Sequence, residues 1–156
     1  AGTVAGFHRA APTSPRIAEA GGLDVVSGLW EEGLDQVSEL VPEVVPREDT
    51  ERLRSLAREY LAGRKMLLDQ RISHGWVRDG HGDILADDVF CLADGPRVLD
   101  CLAFADRLRH GDVLGDVAFL AMDLEARGHA ELGALLIEEW REELGETHPA
   151  SLAHHY

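Results

Sequence analysis

Along most of this chain apolar residues recur every three or four positions, and that rhythm breaks once, between Gly75 and Gly111. Such spacing lines side chains along one face of a helix. Val4, Phe7 and Ala11 share a face and predict the end of a helix over 1–11. Pro12, Pro15 and Gly21-Gly22 predict a loop. Leu23, Val26, Leu29, Trp30, Leu34, Val37 and Leu40 predict a helix over 23–41, ended by Pro42 and Pro46. Leu53, Leu56, Tyr60, Leu67, Leu68 and Ile72 predict the clearest helix, over roughly 48–73. Glu48, Asp49 or Thr50 can cap its start, and Gly75 follows its end. Val113, Val117, Leu120, Ala121 and Leu124 predict another helix up to Gly128. Leu132, Leu135, Leu136, Trp140 and Leu144 predict one more, up to Gly145. The break itself contains VFCLADGPRVLDCLAF, two short β-type runs around Asp94-Gly95-Pro96, which is a hairpin signal. The expected fold class is α+β, mostly helical, with one small β-hairpin.

Charge narrows the function classes. The chain carries 29 Asp and Glu against 15 Lys and Arg, a formal charge of −14. Phosphates would be repelled, which argues against nucleic acid or an anionic membrane as partner. Cations, or a metal–phosphate complex, suit it better. No run is long and apolar enough to span a membrane, and no signal peptide is present, so a cytoplasmic protein is expected. Cys91 and Cys101 do not make a disulfide framework in a chain of 156 residues and read as two buried free thiols.

The stretch RDGHGDILADDVF, Arg78 to Phe90, concentrates carboxylates just where the chain enters an apolar segment. It lies at a helix-to-hairpin junction, a common place for function. Asp83 stands five residues before Asp88, the spacing between catalytic Asp and metal-binding Asn in the protein-kinase loop. The second strand ends in Val98-Leu99-Asp100. With the turn centred on Asp94, Asp88 faces Asp100 across the hairpin, and a one-residue slip turns them to opposite faces. Phosphoryl transfer needs Mg²⁺ held by one or two oxygen ligands and a carboxylate that takes the acceptor hydroxyl's proton. Asp83 is the candidate base, Asp88 and Asp100 the candidate metal ligands, and His81 a scaffold residue hydrogen-bonded to loop backbone. Gly80 and Gly82 permit a tight turn around it.

The segment from Val77 to Leu124 resembles the catalytic region of the aminoglycoside phosphotransferase family, within the protein-kinase-like superfamily. The strong resemblance covers about a third of the chain, with AGFHRAAPTSP and the later helices more weakly similar. It implies a kinase-like C-terminal lobe spanning 1–156, with 75–110 as catalytic loop and metal-binding hairpin. It implies ATP, or another NTP, and Mg²⁺ as cofactors, and a small-molecule acceptor. By position, Asp83 matches the catalytic base, Asp100 the metal-binding Asp of the second motif, and Asp88 the second metal position. Asp116 matches the Asp that opens the next helix and ties it to the loop. More narrowly, the segment resembles the bacterial stand-alone or fused kinase-like proteins of that superfamily, and Ala103 stands where they usually carry Glu. The N-terminal nucleotide-binding lobe is missing: there is no glycine-rich loop after a strand, and the one lysine, Lys65, lies in a helical stripe. The chain begins and ends inside helix-like patterns and reads as a piece of a longer protein, to which a fused P-loop kinase-like domain can belong.

Two other functions fit the same residues. One is a pseudokinase or interaction module, favoured by Ala103 and by Asp at position 88. The other is a metal-dependent phosphohydrolase built on His81, Asp83, Asp88 and Asp100. Asp79 and Asp87 read as solvated loop charges, and Arg107 and Arg109 as partners of nearby Asp residues. His154 and His155 read as helix surface, Trp30, Trp76 and Trp140 as packing residues, and EEWREELGE as a solvated helix face.

Overall fold

A computed structural model describes residues 1–40 and 45–156. It is mostly helical and contains two two-stranded antiparallel sheets, so the α+β class holds while the single hairpin becomes a pair of small sheets. In chain order the elements are α1 Gly2–Ala10, α2 Pro15–Ala18, α3 Leu23–Leu40, α4 Arg47–Leu61 and α5 Lys65–Ser73. There follow β1 Val77–Asp79, β2 Val89–Leu92, β3 Gly95–Val98, α6 Asp106–Arg109 and β4 His110–Asp112. The chain closes with α7 Val113–Ala126, α8 Ala130–Leu144 and α9 Ala150–His155. The predicted stop of α3 at Pro42 lies outside the described residues.

Helix α7 forms the centre. Its sequence VLGDVAFLAMDLEA is apolar on most sides, and Val113, Leu114, Val117 and Leu120 are buried. Val4 and Ala5 of α1, Ile84, Trp140 of α8 and Leu152 of α9 pack around them. Truncating Leu114, which is fully buried, to Ala would cost about 3 kcal/mol through lost contact and the cavity left behind. Helix α8 lies close against α7 because Gly133 has no side chain. A Cβ there would meet the Ala121 carbonyl oxygen at 2.8 Å. A smaller core joins α3, α4 and α5 through Val26, Leu61 and Leu68.

Several expectations change. The predicted helix over 48–73 is two helices, because the chain between them turns through Gly63 at φ +77°, a conformation glycine adopts without strain. Thr50 does not cap the first of them; its hydroxyl donates to the Arg47 carbonyl. Leu53 and Leu56 stay exposed. On α1 the buried residues are Val4, Ala5 and His8, with Ala11 buried at its C-terminal cap, so the stripe includes a histidine and leaves Phe7 outside. The β1–β4 sheet was not foreseen: VRD and HGD are three residues each, too short for a period, and pair only because the fold brings 77–79 beside 110–112.

Buried charge ties these layers together. The Arg71 guanidinium donates to both oxygens of Asp112, at 2.7 and 2.8 Å, and ion-pairs with Glu146. Asp112 also caps α7 by accepting the Leu114 N–H at 3.0 Å. Burial pushes the Glu146 carboxyl up, but His148 and Arg71 outweigh it and hold it below its ordinary range. Glu146 is thus a core ion-pair member rather than part of a solvated face.

Candidate functional site

The stretch Gly80–Gly82 runs across the first turn of α7. Asp116, one turn into that helix, accepts the His81 N–H at 2.7 Å on Oδ2 and the Gly82 N–H at 2.8 Å on Oδ1. The same carboxylate receives His8 Nε2 from α1 at 3.1 Å. The ring proton belongs on that nitrogen, because His8 Nδ1 accepts the Trp140 indole N–H at 2.9 Å. Three elements therefore converge on one buried carboxylate. Burial alone would push the Asp116 carboxyl up; His8 and the two loop N–H groups outweigh it and hold it below its ordinary range.

Both glycines of the loop have a stated reason. Gly80 is buried, and a Cβ there would meet Asp116 Oδ2 at 2.7 Å. Gly82 takes φ +86°, and its Cβ would meet the Leu108 carbonyl oxygen at 3.0 Å. A side chain at either position would push the loop off α7. Further hydrogen bonds fix the loop from the other side: Gly80 N–H donates to the Arg109 carbonyl and Leu102 N–H to the His81 carbonyl.

His81 is buried, and its Nε2 lies 2.9 Å from the Leu99 carbonyl oxygen, so the ring bonds backbone at the end of β3. Asp83 follows on the loop, half-buried. Among the described residues none hydrogen-bonds or ion-pairs with its carboxylate. Ile84, next in sequence, is buried in the main core and anchors the loop's middle.

The hairpin register corrects the predicted facing of Asp88 and Asp100. Val89 pairs with Val98 and Leu92 with Gly95, which leaves a two-residue connection, Ala93-Asp94. Gly95, at φ +116°, starts the returning strand one position earlier than a turn centred on Asp94 requires. Asp88 therefore lies beside Leu99, whose N–H donates to the Asp88 carbonyl at 3.1 Å. Asp100 falls one residue further on, exposed and at φ +66°. The Asp88 carboxylate accepts the Leu85 N–H at 3.0 Å. Among the described residues no group of three or more His, Cys, Asp or Glu side chains is gathered as a metal site.

Neighbouring charges follow expectation in part, Arg109 pairing with nearby Asp residues as expected. Asp79 is not a solvated charge; it pairs with Arg109, which also donates to the Leu102 carbonyl at 2.7 Å and to Asp106 at 3.0 Å. Arg107 pairs with Glu32 of α3 rather than with an Asp. Asp87 is exposed, as expected, and meets Arg127 at the C-terminal cap of α7. His155 is buried, stacked on Tyr60 with ring centroids 4.4 Å apart, and burial pushes its imidazole down to about 4. Cys91, on β2, and Cys101, beyond β3, are both exposed rather than buried.

The sequence reading missed His8, Trp140 and Arg71 as parts of the support for this loop. A signal for His8 existed: a polar ring at i+4 from Val4 and i−3 from Ala11, on the apolar face of α1. Arg71 and Trp140 gave none, because their partners lie 41 and 132 positions away.

No known protein-family model matches the chain. No solved structure matches it. An uncharacterized protein of Mycobacterium bovis is 38% identical over 153 residues, covering 98% of this chain and 31% of the relative. Uncharacterized proteins from two strains of Mycobacterium tuberculosis match with the same identity and coverage. The chain thus spans 31% of the length of the curated relatives it matches.

Among the described residues, no helix is long and apolar enough to cross a membrane.

Proposed function

We propose that this chain is the catalytic lobe of a cytoplasmic, ATP-dependent small-molecule phosphotransferase. The observation that carries the reading is the loop from Gly80 to Asp83. Its backbone N–H groups are locked on a buried carboxylate of α7, while the carboxylate of Asp83 has no protein partner among the described residues. An acid group held on a rigid loop, with its own oxygens left free, suits a base that must meet an incoming hydroxyl.

In the proposed reaction Asp83 orients the acceptor hydroxyl and takes its proton as the oxygen bonds to the γ-phosphorus. The bond from that phosphorus to the bridging oxygen breaks, and the nucleoside diphosphate leaves. Asp88 and Asp100 are hard oxygen donors. Mg²⁺ is commonly held by one or two carboxylates together with phosphate oxygens and water, so two carboxylates without a third protein ligand fit it. Bound there, the ion would neutralise charge on the transferring phosphate. The Leu85 N–H orients the Asp88 carboxylate, which would hold the ion together with Asp100. A nucleotide-gripping lobe, and a fused P-loop kinase-like domain, would complete the protein; relatives of which the chain covers 31% leave room for both.

The test uses the intact protein. Asp83→Asn should lower Mg-dependent ATP turnover by about 10³-fold, in the range of a lost general base, with an unchanged melting temperature. Unchanged turnover would sink the reading.

One observation favours a pseudokinase or interaction module instead: the register that sets Asp88 beside Leu99 rather than Asp100. Failure of Mg-ATP to raise the melting temperature of the intact protein would select that reading.

A further inference from the structure

Asp116 is one of two carboxylates that α7 offers to the same loop. Asp123 lies seven positions later, two helical turns on, about 10.5 Å along the axis and on the same face. Its Oδ2 accepts the Ala86 N–H at 2.8 Å and receives Arg127 Nε at 2.9 Å. Arg127 in turn reaches Asp87 through both terminal nitrogens, at 3.1 and 2.8 Å. Helix α7 therefore grips the loop at His81 and Gly82 with one carboxylate, and at Ala86 and Asp87 with the other and its arginine. Ile84 is buried between the two grips. Asp83 is bracketed by them, and Asp88 follows the second directly.

Nothing local requires the second grip. The short 3-10 turn Ala86–Asp88 has its own closing bond, Asp88 N–H to the Leu85 carbonyl at 3.1 Å. The Ala86 N–H, at the start of that turn, points instead at α7. Its hold on Asp123 is strong enough to keep that carboxyl below its ordinary range, with Arg127 adding to it against the opposing effect of burial.

We propose that Asp123 is a positioning residue for the site: by fixing Ala86 it sets where Asp88 presents its carboxylate, as Asp116 sets where Asp83 does. This rests on the phosphotransferase reading above. Asp123 touches neither nucleotide nor metal in this scheme. It acts through the backbone of the turn, with Arg127 offsetting part of the charge that Asp123 and Asp87 set beside Asp88.

The experiment compares Asp123→Ala, Asp123→Asn and Asp83→Asn in the intact protein, with two readouts. The first is the Mg²⁺ concentration giving half-maximal ATP turnover. Asp123→Ala should raise it about 10-fold, the usual effect of losing an outer-shell support. Asp123→Asn keeps an acceptor for the Ala86 N–H and should lie between Ala and the natural residue. A simple loss of stability would lower the melting temperature without moving this concentration. The second readout is hydrogen exchange, which needs no activity. Asp123→Ala should speed exchange in peptides covering 84–88 while His81 and Gly82 stay protected. Unchanged exchange at 84–88, or an unchanged Mg²⁺ requirement while Asp83→Asn abolishes turnover, overturns the proposal. Turnover that survives Asp83→Asn overturns the parent reading and the catalytic part of this one, and exchange still decides whether Asp123 pins the turn.

Discussion

The segment Gly80–Gly82 and the hairpin Val89–Val98 lie six residues apart in sequence but are held by different means. The first is fixed on a buried carboxylate, backed by a histidine from α1 and an indole from α8. The second is a two-stranded ribbon whose Phe90 and Leu92 are about half exposed, at 48% and 54%. An isolated two-stranded hairpin has little stability of its own. The contrast assigns different tasks to the two halves. The loop end carrying Asp83 is rigid before any ligand arrives. The hairpin is anchored at its base, where Val89 and Val98 pack against the main core and His81 Nε2 meets the Leu99 carbonyl, while its outer part, with Phe90 and Leu92, relies on its own pairing.

Removing the carboxylate should break that contrast most strongly. Asp116→Ala strands two loop N–H groups and His8, and should cost about 4 kcal/mol in a urea titration, as loss of a buried charged partner does. Gly82→Ala comes next. It forces a side chain into a positive-φ site against backbone at 3.0 Å, for a loss of about 2 kcal/mol. Acid should weaken the same tie more gently, because a protonated carboxyl still accepts hydrogen bonds. The folded-state value of Asp116 is lowered, so its contribution is complete above the ordinary carboxylate value and is lost as pH falls through the lowered one. Exchange of the His81 and Gly82 amides, corrected for intrinsic pH dependence, should therefore be steady above that ordinary value and accelerate below it. The hairpin sets the lower limit: Leu92→Ser should change stability by less than about 0.5 kcal/mol, because the side chain is mostly in solvent already. A large loss there would show that the outer part of the hairpin, too, is anchored.

Much of the helical framework could be read from the chain, because periodicity is local. Helices α3, α7 and α8 follow their apolar spacing, and Gly128 and Gly145 end two of them with positive φ. The misreadings fall where backbone geometry or distant partners decide. Gly63 splits a helix that the apolar stripe alone would continue. Gly95 shortens the hairpin turn and so moves Asp88 from Asp100 to Leu99. Asp79 and Glu146 looked like solvent-facing charges until Arg109 and Arg71 were brought beside them by the fold.

The sequence by itself determined where α3, α7 and α8 run, where the rhythm breaks, and that His81, Asp83 and Asp88 share one short connection. Those properties depend on neighbours within a few residues. Only the tertiary structure decided that His8, Asp116 and Trp140, 108 and 132 positions from His8, form one hydrogen-bonded support. It also decided that α7 holds the loop at both ends. A carboxylate's role depends on which donor the packed core sets against it, and no spacing within the chain encodes that contact.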